Sequence, residues 1–333
     1  MLKTEEKEPN TEEKKEPREL DIKYDPQLVD DIVYKGLAER EKNGDYDLYV
    51  AYHKQRDAIY ELEPEMRPKK FRALDNEFFK LLGFDGYVAE VFGEFPDIKE
   101  IVEEVHVRRA TTRQNEGSNV VDEGKKVIVR LYPELFLTGE EISKVMRHEL
   151  MHVSDIMDKS FGYQVEDFHP SPMEDRIIRD RYRLFWDIYV DGRLEKMGKE
   201  THGTRESWNR EFDTFFKKIP DDTKEQIFAR LWRVDEPLTH DKIVELSRKI
   251  NNVLSLAEGE NDLNEGGEEV KKIGPLPGTT CPLCGFPSFE WLDEVANDEE
   301  MVKVLKEDFP DWEPHDGVCA RCTEYYKIKV GKW

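Results

Sequence analysis

Between residues 138 and 158 apolar side chains recur at helical spacing, with Ile142, Val145, Met146, Val153, Ile156 and Met157 falling on one stripe. Thr138 and Glu141 have the spacing of a capping box, and Leu137 and Ile142 that of a hydrophobic staple. The pattern predicts a helix over residues 139–158. A second, longer helix is announced by Ser171-Pro172-Met173-Glu174, an N-cap serine followed by a proline at the first helical position and a capping glutamate. It should run to about residue 197. Its apolar face centres on Ile177, Ile178, Tyr182, Phe185, Ile188 and Tyr189, with Asp191 and Glu195 at the edge and Asp187 further round toward solvent. Further helical patterns cover residues 25–43, 67–82, 206–218, 222–233 and 239–256. Residues 104–109 alternate in Val105-His106-Val107-Arg108, and residues 126–131 carry the β-branched run Val127-Ile128-Val129. Both read as strands. The expected fold class is therefore α+β and mostly helical, with a short sheet beside the helix at residues 139–158.

That helix carries His148-Glu149-Leu150-Met151-His152, an HExxH pattern. Residues four apart stack on one helical face, so both imidazoles can reach a single metal ion. Glu149 points about 100° away around the helix. There it is placed to take a proton from water beside the metal, as the general base of a hydrolase does. The plain alternative is two histidines on the surface of an ordinary amphipathic helix.

A zinc site of this kind needs a third protein ligand. Asp155 falls on the histidine face, but an unbroken helix sets it about 10 Å along the axis from His148. The better source is the second helix, where Asp187, Asp191 and Glu195 follow one another at intervals of four residues. A carboxylate beside an apolar face requires a partner or a metal. Asp191 is therefore the favoured ligand, with Glu195 positioned to orient a histidine. Glu195 or Asp187 as the ligand stays open, and so does a purely structural role in ion pairs with Arg181, Arg183 and Arg193. Candidates for stabilising a developing oxyanion are Tyr189, His169 and His202.

On these residues the chain resembles the zincin metallopeptidases, and within them the gluzincin branch, whose third ligand is an acid on a downstream helix followed by a second acid four residues later. Asp191 with Glu195, or Asp187 with Asp191, would take those places; an aspartate in the usual glutamate position is a departure. The resemblance covers residues 105–198, and HExxH is its specific part. It implies a zinc-dependent peptidase in which an edge strand holds extended peptide substrate.

A second metal signal lies in Cys281-Pro282-Leu283-Cys284 and Cys319-Ala320-Arg321-Cys322, two C-x2-C pairs 34 residues apart that contain all four cysteines of the chain. Four thiolates enclose one tetrahedral zinc and leave no position for water, which marks a structural site. Phe286, Phe289, Trp291, Phe309 and Trp312 are available for a small core that the metal staples. Redox chemistry would require a βαβ setting that the sequence lacks. HExxH combined with a C-terminal zinc ribbon is also similar to the Spartan-type (SprT-like) proteases. Their third ligand is a histidine, for which His202 and His169 are the matches here. The cofactors expected are thus two zinc ions, one catalytic and one structural.

Composition narrows the partners. Of 333 residues, 51 are basic and 74 acidic, for a formal net charge of −23. Residues 276–333 are themselves acidic, with 12 Asp or Glu against 6 Lys or Arg. Nucleic-acid affinity comes mainly from neutralising phosphates, so this balance argues against a nucleic-acid partner. No apolar run has the length of a membrane span or of a signal-peptide core, and the cysteines are spaced for metal rather than disulfides, so a cytoplasmic setting is expected. Residues 1–20 hold twelve charged residues and read as a disordered tail. Residues 257–275 read as an acidic linker. Between them lies an expected metallopeptidase domain at 21–256, and after them a zinc-ribbon module at 276–333. The expected partners are a peptide or protein substrate and, through aromatics of the ribbon, a further protein.

Overall fold

A computed structural model of the chain describes residues 20–332 apart from 166, 167, 169–171, 235, 258–273, 276, 277, 293, 294 and 296. Nearly all of the charged tail and of the acidic linker, the Ser171 cap and His169 lie outside the described residues. The chain forms two compact units, Met1–Ser154 and Asp155–Trp333.

The first unit contains a four-stranded sheet in the order β1-β2-β4-β3, built from β1 (Asp21–Tyr24), β2 (Glu104–Arg109), β3 (Gly117–Val121) and β4 (Lys126–Leu131). The two strands expected from the sequence, β2 and β4, are parallel neighbours with Val105 opposite Val127 and Val107 opposite Val129. All four valines are fully buried on one face, the outcome that alternation at period two dictates. β3 pairs antiparallel with β4 and takes the sheet edge. Five helices separate β1 from β2: α1 (Pro26–Lys42), α2 (Asp47–Tyr60), α3 (Arg67–Leu81), α4 (Gly86–Phe92) and α5 (Pro96–Ile101). Asp25 caps α1 by accepting from the Gln27 N–H, and Pro26 occupies its first turn. α1 packs on α2 and α3, where the Tyr52 hydroxyl donates to the buried Asp75 at 2.8 Å.

α6 (Gly139–Met157) follows the sheet as one continuous helix. Thr138 before it is extended, with φ −131° and ψ 117°, as a residue entering a helix must be. Ile142, Val145, Met146, Leu150 and Val153 are buried. The Ser118 hydroxyl donates to the Glu149 carbonyl at 3.1 Å, which sets β3 against α6 at the HExxH motif.

The second unit is organised by α7 (Pro172–Lys196), which packs against α8 (Arg205–Phe215), α9 (Asp221–Arg233) and α10 (His240–Arg248). A short α11 (Ile250–Leu254) continues from α10 across an extended Lys249, so the single helix expected over 239–256 is broken there. Phe185, Phe212, Phe216, Phe228 and Trp232 form the aromatic core of this unit. Gly192 lets α7 and α9 approach closely, because a Cβ there would lie 2.2 Å from the Trp232 carbonyl oxygen. Gly192→Ala should therefore destabilise the chain by about 1–3 kcal/mol through overpacking. A urea melt checks this, and an unchanged midpoint would disprove the close packing.

Around the cysteines the unit is not a ribbon of strands. Residues 276–332 carry α12 (Glu299–Asp308), α13 (Ala320–Lys329) and two isolated bridges, Thr280↔Pro287 and Trp291↔Cys319, with no longer strand among the described residues. The local core is Val295, Met301, Leu305, Trp312, Val318 and Tyr326, with Phe309 packed partly against it. Phe286 and Phe289, expected in that core, are exposed. The two helices supply enough apolar surface to close the core, and the tight turn through Cys281 and Cys284 leaves those rings outside. No helix among the described residues is long and apolar enough to cross a membrane.

Candidate metal centres

His148 and His152 turn the same ring nitrogen toward a common point. Their Nε2 atoms are 3.1 Å apart, with ring centroids 4.7 Å apart at 73°. Two imidazole nitrogens on one tetrahedral zinc, each bound at 2.0–2.1 Å, are separated by about 3.3 Å. Helical geometry thus holds the pair close to the spacing the ion requires. His148 is only 4% exposed, and His152 is half-buried. Asp187 completes a group in which one potential ligand atom from each of His148, His152 and Asp187 lies within 4.8 Å of the others.

The other carboxylates on α7 have different engagements. Asp191 is 0% exposed and accepts from Gly203 N–H at 2.8 Å, Trp208 Nε1–H at 2.7 Å and His202 N–H at 3.4 Å. It holds the loop between α7 and α8. Gly203 is part of that fastening, because a Cβ there would lie 2.4 Å from Trp208 Nε1. Glu195 accepts from Trp232 Nε1–H at 2.5 Å, an indole rather than a histidine. Asp155 accepts from Trp186 Nε1–H and from both terminal nitrogens of Arg193, so this buried acid is satisfied inside the fold as the axial-distance argument requires. Arg193 also lies over the ring of Tyr189, at 4.3 Å from its centroid, and Tyr189 is buried. Of the other residues considered for an oxyanion, the His202 side chain is exposed.

Comparison with protein-family models, with characterised proteins and with solved structures gives no match.

One acid near the motif had no signal in the sequence. Glu116, just before β3, has its carboxyl pushed up by burial, against the pull of Arg113 and the Tyr132 backbone, with the charge of Glu149 adding to the rise. Nothing in Gln114-Asn115-Glu116-Gly117 distinguishes it from an ordinary turn residue. Only the return of β3 beside α6 brings it within electrostatic reach of Glu149.

The second group is the four cysteines, whose sulfurs all lie within 4.8 Å of one another. Cys284 Sγ and Cys319 Sγ are 3.8 Å apart, which matches the edge of about 3.8 Å expected for a tetrahedron of thiolates bound at 2.3 Å. The first pair sits in a turn closed by Cys281 N–H to Phe286 O at 2.9 Å and Gly285 N–H to Cys281 O at 2.8 Å. The second pair opens α13, where Cys319 is the N-cap and its sulfur accepts from Cys322 N–H at 3.4 Å. Burial pushes the Cys319 and Cys322 thiols up. At Cys284 burial has the same upward effect, but the Phe286 N–H and the Arg321 guanidinium outweigh it and bring the thiol down to about 6. So close a set of thiols cannot all ionise unless a cation joins them. The donor set suits zinc, and the histidine–aspartate group and the four-cysteine group together make two candidate metal-binding clusters.

Proposed function

We propose that the chain is a zinc-dependent hydrolase of peptide bonds, with the catalytic ion held by His148, His152 and Asp187 and with Glu149 as general base. The observation that carries this reading is the convergence of the two Nε2 atoms, 3.1 Å apart, with an Asp187 oxygen in the same group. Asp187 is half-buried, which suits a ligand beside a position open to water, whereas Asp191 already accepts from three N–H donors. An acidic third ligand supports the gluzincin-like version over the Spartan-type one. Asp191 then stands behind the ligand and fixes the loop that follows α7.

A zinc ion bound there supplies Lewis-acid polarisation of water and of the scissile carbonyl. Glu149 takes the proton from the water as its oxygen bonds to the carbonyl carbon, then delivers that proton to the amine nitrogen as the C–N bond breaks. The outer edge of β3 is the natural place for an extended peptide, since it ends the sheet beside α6 and offers main-chain pairing with little demand on sequence. The four-cysteine group would hold a structural zinc, and a cytoplasmic setting fits thiols kept for metal. A second reading, a protein-binding role for the cysteine segment, is favoured by the exposure of Phe286, Phe289 and Tyr325.

The test is zinc content and cleavage of an unfolded protein such as casein, in the wild type and in two variants. Asp187→Asn should fall from two zinc ions to one and lose cleavage. Asp191→Asn should keep both ions and lose about 1–3 kcal/mol of stability, because buried N–H donors then face an amide. The opposite pattern would make Asp191 the ligand, and a zinc-loaded wild type that cleaves nothing would overturn the peptidase reading.

A further inference from the structure

The second unit contains a cavity of about 510 Å³ that reaches Pro282 of the first cysteine turn and is lined in part by Phe168, Ile177, Ile178 and Ile250 and by the cations Arg181, Arg248 and Lys249. Its size is that of a small-molecule site. Arg181 is its unusual member. The residue is 3% exposed, yet its Nε–H has no hydrogen-bond partner among the described residues, and one terminal nitrogen donates to the Ser247 carbonyl at 3.2 Å. Burial, opposed by the charge of Glu174, lowers its pKa to about 10, which still leaves it a cation at neutral pH. A buried cation that is not fully hydrogen-bonded is costly to maintain, and an anion in the cavity would offset that cost.

The acids on the same wall accept hydrogen bonds from main-chain groups, and Glu174 also offsets part of the Arg181 charge. Glu174 accepts from the Thr280 N–H. Asp316 accepts from the Glu313 N–H at 2.9 Å and lies 3.8 Å from His315 Nε2. Three cations therefore face two carboxylates, and the remaining wall is largely apolar.

We infer that this cavity binds a small amphipathic anion, a carboxylate carried on an apolar body, with Arg181 as the buried charge partner and the exposed Arg248 and Lys249 beside it. The acid end would accept the Arg181 Nε–H in bidentate fashion with a terminal nitrogen, and the apolar body would lie on Ile177, Ile178 and Ile250.

Isothermal titration of the full chain with octanoate, octanol and inorganic phosphate tests this. Octanoate should bind saturably at one per chain, with octanol and phosphate each at least tenfold weaker. Arg181→Lys, which keeps the charge but not the fork, should weaken octanoate about tenfold or more. Arg248→Ser with Lys249→Ser, at exposed positions that leave folding intact, should weaken it several-fold and flatten its salt dependence. Octanol binding as well as octanoate would reduce the cavity to an apolar gap, and phosphate binding as well as octanoate would remove the apolar requirement. The inference also fails if octanoate does not bind, or binds the surface double variant and the wild type alike.

Discussion

Glu149→Gln should abolish most peptide hydrolysis while leaving both zinc ions in place. A positioned general base contributes about 10²- to 10⁴-fold to rate, so cleavage of an unfolded protein should fall by that factor. Zinc content should not change, because the candidate metal group consists of His148, His152 and Asp187 and does not include Glu149. Nor should the fold change. The link between β3 and α6 runs from the Ser118 hydroxyl to the Glu149 carbonyl, which the substitution leaves untouched, and Gln matches Glu in size and helix propensity. Rate and metal content measured on the same preparation decide the matter. Loss of one zinc with the activity would make Glu149 a ligand, and unchanged cleavage would remove it from the chemistry.

The legible parts of this chain are those fixed by local periodicity. α6 begins and ends within a residue of its expectation because a cap, a staple and a 3.6-residue stripe agree there. β2 was readable from alternation and β4 from its β-branched run. Their parallel pairing was not, since it depends on the chain returning from β2 through β3, which then takes the far side of β4. β3 escaped notice because Gly117-Ser118-Asn119-Val120-Val121 is an edge strand with no buried residue, so it carries no clean alternation. β1 is four residues long.

The acid that groups with the two histidines was obscured for a different reason. A helical wheel assumes one wet face and one dry face, but α7 buries Leu184, Phe185, Trp186, Ile188, Val190, Asp191 and Leu194 and is dry nearly all round in its second half. In such a helix the half-exposed acid is the informative one, and that is Asp187. Asp191 looked like a carboxylate in need of a metal because its donors, Gly203 and Trp208, come from a loop that no pattern on α7 announces. The cysteine spacing foretold the cluster of sulfurs but not its scaffold, since metal ligands constrain four positions and leave the intervening chain free to be helical.

That scaffold makes the cysteine cluster the place where metal should matter most to folding. Cys284→Ser or Cys322→Ser should lower zinc content from two ions to one, keep the His-bound ion, and unfold residues around α12 and α13. Each of these helices has ten residues, too short to be stable alone in water. Among the described residues the core they share has six buried side chains, a small reserve against the entropy of ordering the segment. Structural zinc bound by such ligands contributes about 10–16 kcal/mol in small zinc-folded peptides, far more than this core would otherwise retain. The sensitive reporter is the Trp312 indole N–H, which donates to the Gly317 carbonyl at 3.1 Å only while the core is closed. Its resonance should exchange rapidly with solvent in either variant, and in the wild type after a strong chelator, returning when zinc is restored. The same treatment should spare Trp208, whose indole N–H is held by Asp191 at 2.7 Å without help from the cysteines. If Trp312 stays protected after zinc is stripped, the six-residue core closes by itself, and the cysteines then bind metal for a purpose other than folding.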